Sequence, residues 1–213
     1  MKYLRRDKGA GIRFFACGEY GGLHKRPHYH LILFNCEFPD MRHHDTNKKT
    51  GDKYYISEEL NKIWNKGFCI IGEANADSAN YVARYITKKI NGKMAWQHYI
   101  DCDENGEITA ERIPEFSAMS RMPGIGHDFF LKNGANMYAL GHTIVKKKGK
   151  LATFKIPEYY DKVFEKHSPE QLKSIKLKRK ELAKKHEKSY QRLAEKEQHK
   201  IQTIKSLRRP IEV

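Results

Sequence analysis

The chain has 213 residues and a formal net charge of +15, with 41 basic and 26 acidic side chains. This length suits one ordinary domain with an extension. The four cysteines form no C-x-x-C pair, which argues against a zinc ribbon or a disulfide scaffold and favours a reducing cytosol. The basic start lacks the apolar core of a signal peptide, and no stretch approaches the roughly 20 apolar residues of a membrane span.

The positive charge is concentrated towards the C-terminus. Residues 146–213 hold 21 of the basic and 9 of the acidic side chains, a net charge of +12, against +3 for residues 1–145. We therefore predict a core domain over residues 1–145 and a basic, mostly helical extension over residues 146–213. Charge of this sign suits a polyanionic partner, and nucleic acid in particular. The alternative is a lysine-rich helix that is simply well solvated.

The first predicted elements are a short basic helix end and two strands, near residues 1–8, 12–19 and 28–35. His28 and His30 lie on one face of the second strand, because side chains alternate along a strand. Glu19 closes the first strand, and the two glycines and the proline between the strands suit a reversing connection. If the strands pair, Glu19 returns beside both histidines and one cation could bind all three. The alternative is an ordinary strand with two surface histidines.

The middle of the chain is predicted to contain a polar loop, a helix that begins after Ser57 and reaches Trp64, and a buried strand, with the loop and the strand over residues 37–55 and 68–74. A second helix is predicted over residues 79–90, with Asp77 and Ser78 as N-cap residues and Asn91-Gly92 as the stop.

This second helix carries two tyrosines and two lysines close to one face. Tyr81 and Tyr85 are four residues apart, which makes them neighbours on a helix, and Lys88 and Lys89 lie one turn further on. Val82 and other apolar residues already supply a core-facing side, so the tyrosines form a separate stripe with polar tips. The alternative is an amphipathic helix that buries its tyrosines against a sheet while the lysines extend to solvent.

Beyond this helix, residues 93–117 are predicted to form an acidic surface excursion. The block SRMPGIGHDFF then joins Arg121 to a proline and two glycines, which suits either a phosphate-binding loop or a turn that needs glycine for its shape. His127 has no partner that the sequence identifies. Ser168 and Pro169 mark the start of a long charged helix that we expect to reach about residue 207.

The order of these motifs resembles a known family. The HYH strand with its upstream glutamate, followed by Tyr-x-x-x-Tyr-x-x-Lys on a helix, is similar to the HUH endonucleases. The further blocks, and the lysine-rich tail, resemble more narrowly the rolling-circle replication initiators of small single-stranded DNA phages of the gokushovirus type. Such initiators carry an earlier F-x-T-L-T-Y-like strand that is not found here. The resemblance therefore implies a core that is incomplete at its N-terminus.

The resemblance implies an α+β fold, with an antiparallel sheet of the ferredoxin or RRM-like HUH type, helices on one face, and a long basic C-terminal helix. It also implies a set of functional residues. The nucleophiles would be Tyr81 and Tyr85, assisted by Lys88. The ligands of a divalent Mg2+ or Mn2+ ion would be Glu19, His28 and His30. Candidate contacts to the DNA backbone are Arg26, Arg84, Lys89 and Arg121.

The implied function is the initiation of rolling-circle DNA replication by a site-specific endonuclease and ligase, which nicks and rejoins single-stranded DNA through a 5′-phosphotyrosine intermediate. The expected partners are single-stranded DNA, the origin of the viral replicative form and host replication proteins, in the cytoplasm of a host bacterium and without a membrane. The alternative is a non-catalytic, basic nucleic-acid-binding protein with an RRM-like sheet. An HUH transposase or relaxase fits the paired tyrosines and the downstream blocks less well.

Overall fold

The computed structural model describes residues 1–21, 24–48, 50–85, 89–147 and 150–206. The chain divides into two compact units, Met1–Arg121 and Met122–Leu207. The charge pattern placed the boundary at residues 145–146 instead. The contacts group the chain differently because helix α5 (His127–Leu140), which carries little charge, packs against helices further along the chain.

The first unit contains four short helices and eight strands in the described residues. The helices are α1 (Lys2–Lys8), α2 (Glu58–Trp64), α3 (Ala76–Arg84) and α4 (Ala95–Tyr99). The strands are β1 (Arg13–Tyr20), β2 (Pro27–Phe34), β3 (Arg42–Thr46), β4 (Lys53–Ile56), β5 (Ile71–Gly72), β6 (Ile100–Cys102), β7 (Ile108–Glu111) and β8 (Phe116–Met119).

The central sheet has the antiparallel order β2-β1-β8. The predicted hairpin between β1 and β2 is confirmed, and its register places Glu19 opposite His28 and Cys17 opposite His30. Because directly paired residues project from the same side of a sheet, these four residues share one face. We call it the tyrosine face, because α3 covers it with Tyr81 and Tyr85.

The other side, which we call the opposite face, carries the alternating set from Phe14 to Tyr20 on β1 and the set with Tyr29 and Leu33 on β2. A small core at one end of this face joins Leu33 to side chains of α1 and α2, among them Leu4 and Leu60. The α+β class is confirmed. The arrangement differs from the expected one in that helices lie against both faces, because both faces of the short sheet carry apolar side chains.

Two smaller sheets complete this unit, and they correct parts of the sequence prediction. Strands β3, β4 and β5 form one sheet and β6 and β7 form a hairpin. The predicted polar loop over residues 37–55 therefore contains a β-hairpin, and the strand predicted over residues 68–74 is reduced to the two residues of β5. The acidic excursion over residues 93–117 contains α4, the β6–β7 hairpin and the start of β8.

Helix caps set the position of the two helices that matter for the site. Ser57 is the N-cap of α2 and accepts a hydrogen bond from the backbone N–H of Leu60, as predicted. Helix α3 begins earlier than predicted, because Asn75 is the N-cap and forms a capping box with Ser78. The prediction that the helix continues to residue 90 crosses residues 86–88, which lie outside the described part of the chain; Ile90 itself is not helical.

The second unit consists of α5, the hairpin of β9 (Thr143–Lys147) and β10 (Lys150–Phe154), α6 (Glu158–His167), α7 (Pro169–Lys184) and α8 (Tyr190–Ser206). Its core joins α5, α6 and α7 through Phe130, Met137, Tyr160 and Leu172. The predicted helix over residues 169–207 is two helices, separated at residues 185–189. None of the helices in the residues described here is long and apolar enough to cross a bilayer.

Candidate active site

The β1–β2 hairpin brings an acid and an imidazole into contact on the tyrosine face. Oε1 of Glu19 lies 3.1 Å from Nε2 of His30. The Glu19 side chain is 6% exposed and that of His30 is 14% exposed, so the pair is largely withdrawn from water. A carboxylate in such a place needs a polar partner, because burying an isolated charge is costly.

His28 stands directly opposite Glu19 in the strand register, but its side chain is exposed and lies beside Gly21. A Cβ added at Gly21 would come within 2.8 Å of Cε1 of His28. In the described part of the chain, no three His, Cys, Asp or Glu side chains converge as a ready ligand group. The structure therefore brings two of the three predicted ligands together and leaves His28 apart from them.

These residues nevertheless offer a suitable donor set for a divalent ion. Directly opposite Cα atoms in an antiparallel pair are about 4.5–5.5 Å apart, so the backbone of His28 is already next to that of Glu19. One carboxylate and two neutral imidazoles provide the oxygen and nitrogen ligands that several divalent ions accept. The identity of the ion, and His28 as a ligand, stay predictions.

Both predicted nucleophiles lie against His30. The imidazole of His30 stacks on the ring of Tyr85, with centroids 4.1 Å apart and planes at 10°. It meets the ring of Tyr81 edge-on, at 5.9 Å and 86°. The hydroxyl of Tyr85 donates a hydrogen bond to the hydroxyl of Tyr81. A carboxylate, an imidazole and two phenols are thus gathered within one small cluster.

The phenols are buried, and this affects their acidity. Tyr81 is 4% exposed and Tyr85 is 8% exposed. Burial, the hydrogen bond with Tyr81 and the negative charge of Glu19 all raise the pKa of Tyr85 well above its usual value. In this state Tyr85 is a hydrogen-bond donor and not a nucleophile, so it needs additional positive charge nearby before it can attack a phosphate.

The predicted cationic residues fall into two groups. Arg84 lies at the site, because its Cζ is 5.7 Å from the ring centroid of Tyr81. Arg26, Lys89 and Arg121 are exposed side chains of the first unit, and the contacts to DNA predicted for them stay predictions. Lys88, the predicted partner of the tyrosines, lies outside the described residues.

The sequence did not single out a buried hydrogen-bonded group at the end of the tyrosine segment. The hydroxyl of Tyr99 donates to Oε2 of Glu115 at 2.6 Å and accepts from the backbone N–H of Ile90 at 3.0 Å. Tyr99 and Glu115 are 4% and 7% exposed. No spacing rule marks this pair, since their contact depends on how β8 returns to the sheet.

The glycine-rich block in the second unit serves packing in this structure. The backbone N–H of Gly124 donates to the hydroxyl of Tyr159 at 3.0 Å, and a Cβ at Gly124 would lie 2.5 Å from Cζ of that ring. Nδ1 of His127 lies 3.1 Å from the same hydroxyl. These contacts favour the interpretation of the block as a turn that needs glycine, and they give His127 the partner that the sequence did not identify.

Residues 1–90 match the protein family of the Replication-associated protein ORF2 type. Replication-associated protein ORF2 of Spiroplasma virus 4 is 33% identical over 185 residues, which cover 86% of the chain and 53% of the viral protein. Replication-associated protein VP4 of Bdellovibrio phage phiMH2K is 29% identical over 184 residues, 84% of the chain and 53% of the phage protein.

The chain is related to phage replication-associated proteins. The resemblance to phage replication initiators predicted from the sequence is thereby confirmed. A third relative, Replication-associated protein ORF4 of Chlamydia phage 1, is 28% identical over 134 residues, 61% of the chain and 30% of the phage protein. The chain thus spans about half the length of the first two relatives. No solved structure matches it.

Proposed function

We propose that the chain carries the nicking and joining site of a rolling-circle DNA replication initiator of the HUH type. The observation that supports this most is the position of His30, which contacts Glu19 and the rings of both Tyr81 and Tyr85. A tyrosine pair beside an acid and an imidazole suits phosphodiester transfer better than it suits a structural core, because phenols and a carboxylate are expensive to bury without a use.

The proposed reaction is a transesterification of single-stranded DNA. The phenol oxygen of one tyrosine bonds to the phosphorus, the bond from phosphorus to the 3′ oxygen breaks, and the proton lost by the phenol ends on that 3′ oxygen. The products are a 5′-phosphotyrosine and a free 3′-hydroxyl. Reversal by a second 3′-hydroxyl rejoins the strand, so no other reactant is required.

Ionising the phenol is the main obstacle. With an ordinary pKa near 10, about one tyrosine in a thousand is ionised at neutral pH, a cost of roughly 4 kcal/mol. Arg84 over the ring of Tyr81 can stabilise the anion, and we assign the same role to Lys88 and Lys89. A bound Mg2+ or Mn2+ ion, held by Glu19, His28 and His30, would supply the charge that polarises the scissile phosphate.

Two tyrosines on one helix allow successive rounds of attack. While one phenol is bonded to DNA, the other is free to cut the regenerated site after a complete round of synthesis. Their direct hydrogen bond means that both hydroxyls reach the same place. Alternating attack would release a circular unit of the viral strand.

The proposed partners are single-stranded DNA, the origin of the replicative form and host replication proteins, with the bacterial cytoplasm as the place of action. The net charge of +15 supports a DNA partner. The viral sources of the relatives support a role inside an infected bacterium.

A covalent adduct with DNA tests the proposal. The protein, Mn2+ and a labelled single-stranded origin oligonucleotide should give a slow band on a denaturing gel. The band should disappear in the variant that combines Tyr81→Phe with Tyr85→Phe, and it should persist in the matched control Tyr190→Phe, whose side chain is 89% exposed. An adduct in the double variant would exclude both tyrosines as nucleophiles.

One observation favours the second candidate, a non-catalytic nucleic-acid-binding protein. Tyr29 and Phe116 are about half exposed on the opposite face of the sheet, where an RRM-like protein would contact bases. That function predicts full DNA binding in EDTA and no adduct with any metal ion. The same gel therefore separates the two candidates.

A further inference from the structure

The opposite face of the central sheet carries a row of aromatic rings that the proposed chemistry does not use. Gly18 is paired with Tyr29 on one side and with Phe116 on the other, so two rings flank a glycine across three strands. Tyr29 is 50% exposed and Phe116 is 48% exposed. Their ring centroids are 6.5 Å apart.

The rings are held in place by their neighbours. Phe116 lies over Gly18 so closely that a Cβ there would be 2.6 Å from Cε1 of the ring. On its other side, Tyr29 meets the ring of Trp64 edge-on at 5.4 Å. Rings that are already ordered lose little entropy when a ligand stacks on them. The glycine thus creates a shallow seat in which one ring face rests on backbone and the other faces solvent.

Guanidinium groups lie over both ends of the opposite face. Cζ of Arg112 is 6.0 Å from the ring of Tyr20, and Cζ of Arg5 is 5.7 Å from the ring of Phe14. Alternation along β1 puts Phe14 and Tyr20 on the same side of the sheet as Gly18.

Acidic charge does not cancel this positive charge. Asp101 binds both Arg112 and Lys25, which leaves that cluster with a net charge of +1. Arg26, three residues before Tyr29, and Lys62, two residues before Trp64, are both exposed.

This combination of rings and cations suits single-stranded nucleic acid. The centre of a protein–protein interface is usually depleted of charged residues, whereas proteins that bind single strands combine a basic surface with aromatic rings on which bases stack. We propose that Tyr29 and Phe116 form a base-stacking site for single-stranded DNA on the face opposite the tyrosines, with Trp64 holding Tyr29 in position. That the strand is DNA rests on the proposed function.

The place of β2 in the sheet connects this site with the proposed active site. In the described part of the chain, β2 is paired only with β1, so its other edge is open. His28 and Tyr29 are adjacent residues of β2 that project to the two faces. A strand that leaves the tyrosine face at His28 can therefore turn around this edge and reach Tyr29 within a few nucleotides.

Binding of a labelled oligothymidylate, measured by fluorescence anisotropy in EDTA, tests the site without any cleavage. Tyr29→Leu and Phe116→Leu keep apolar bulk but remove the ring, and each should weaken binding about tenfold. Tyr29→Phe should bind like the parent. The control Leu31→Ala, on the same face of β2 and 43% exposed, should change the dissociation constant less than about twofold.

The salt dependence should stay the same in the ring variants, because no phosphate contact is removed. Unchanged binding in both leucine variants would overturn the proposal, and so would an equal loss in Leu31→Ala. A change in oligomeric state without a change in DNA binding would instead identify the face as a protein interface, which also overturns it.

Failure of this site and failure of the proposed function have different signatures. The Tyr81→Phe, Tyr85→Phe double variant should bind the oligonucleotide like the parent even though it forms no adduct. If the adduct never forms but the ring variants bind weakly, the stacking site stands and the nicking function does not. If the adduct forms and the ring variants bind normally, the stacking site is refuted.

Discussion

Oε1 of Glu19 lies 3.1 Å from Nε2 of His30, and the imidazole of His30 stacks on the ring of Tyr85. The hairpin register fixes the first contact and the packing of α3 fixes the second. An acid, a base and a phenol are thereby aligned across two elements that are distant in sequence. The negative charge of Glu19 works against ionisation of the phenol unless a cation binds to it.

This relationship makes Glu19→Gln an informative change. Glutamine keeps the shape of the side chain and can still hydrogen-bond to His30, but it removes the charge that a metal ion requires. We expect Mn2+ affinity to fall at least about tenfold, because even outer ligands of metal sites contribute that much, and the DNA adduct to be lost. Isothermal titration calorimetry with Mn2+ gives the first result and a denaturing gel gives the second.

The control for this change is Glu58→Gln, since the Glu58 side chain is 67% exposed and pairs with Arg42 on the surface. It should leave both measurements unchanged. Equal Mn2+ binding by Glu19→Gln and the parent would show that Glu19 is not a ligand.

Tyr85 should make the first unit sensitive to alkaline pH. Burial, Tyr81 and Glu19 raise the pKa of Tyr85 in the folded state, so the unfolded chain releases this proton first. The stabilisation is complete below the unfolded value near pH 10 and is lost as the pH rises above it. Between about pH 8 and pH 10.5, the parent should lose up to about 0.8 kcal/mol more stability than Tyr85→Phe.

Urea unfolding followed by tryptophan fluorescence measures this difference, because Trp64 and Trp96 both belong to the first unit. Tyr3→Phe, at a position that is 60% exposed, should keep the pH dependence of the parent. Identical slopes for Tyr85→Phe and the parent would contradict the proposed burial of the phenol.

The parts of the site that the sequence predicted are those set by local periodicity. Alternation along a strand puts His28 and His30 on one face whatever the rest of the fold does, and the turn residues bring Glu19 back in register. The spacing of Tyr81 and Tyr85 places them together on any helix. Four of the five central residues therefore meet as expected, while the exposed side chain of His28 depends on its rotamer, which no pattern encodes.

The parts that the sequence did not predict depend on contacts between distant segments. Strand β8 has only four residues and pairs with β1 about a hundred residues away, so its position, and the burial of Glu115 just before it, follow from tertiary structure. The β3–β4 hairpin is missed because β3 is largely exposed and lacks hydrophobic alternation. The start of α3 is misplaced because Asn75 and Asp77 are both good caps, and the reciprocal bond from Ser78 decides between them.

Gly18→Ala should destabilise the first unit. The added Cβ would lie 2.6 Å from Cε1 of Phe116, and overpacking of this kind costs about 1–3 kcal/mol. In the background Phe116→Ala the same change should cost much less, because the ring is gone. Gly72→Ala in β5, where no heavy atom lies within 4 Å, should be neutral or slightly stabilising. Urea unfolding by tryptophan fluorescence measures all four proteins, and equal costs with and without Phe116 would contradict the close contact.

Asp161 should hold the second unit together. It accepts hydrogen bonds from the hydroxyl of Tyr138 and, at 2.7 Å, from Arg179, which joins α5, α6 and α7. Burial alone would raise the pKa of Asp161, but these donors outweigh it and lower the pKa. The stabilisation is therefore present at neutral pH and is lost as the pH falls below the unfolded value near 4. Asp161→Asn should cost about 2 kcal/mol.

Hydrogen exchange followed by mass spectrometry reports on this change, because it resolves the three helices separately. Their amides should exchange faster in Asp161→Asn. Glu165→Gln, which breaks only the exposed ion pair with Lys176, should change stability by less than about 0.5 kcal/mol. Unaltered protection in Asp161→Asn would show that the three-helix contact does not rely on this carboxylate.

Tyr99→Phe tests whether the buried group at the end of the tyrosine segment positions the nucleophiles. Removing the hydroxyl deprives Glu115 of a donor and the backbone N–H of Ile90, five residues after Tyr85, of an acceptor. We expect a loss of about 1–3 kcal/mol in stability and slower adduct formation with unchanged DNA affinity. The two effects have different origins, and a second substitution separates them. Replacing Glu115 by Met in the Tyr99→Phe background removes the unsatisfied carboxylate, so stability should return while the Ile90 bond stays broken. Adduct formation that stays slow in this stable double variant would establish a positioning role, whereas recovery of the rate together with stability would show that Tyr99 only supports the fold.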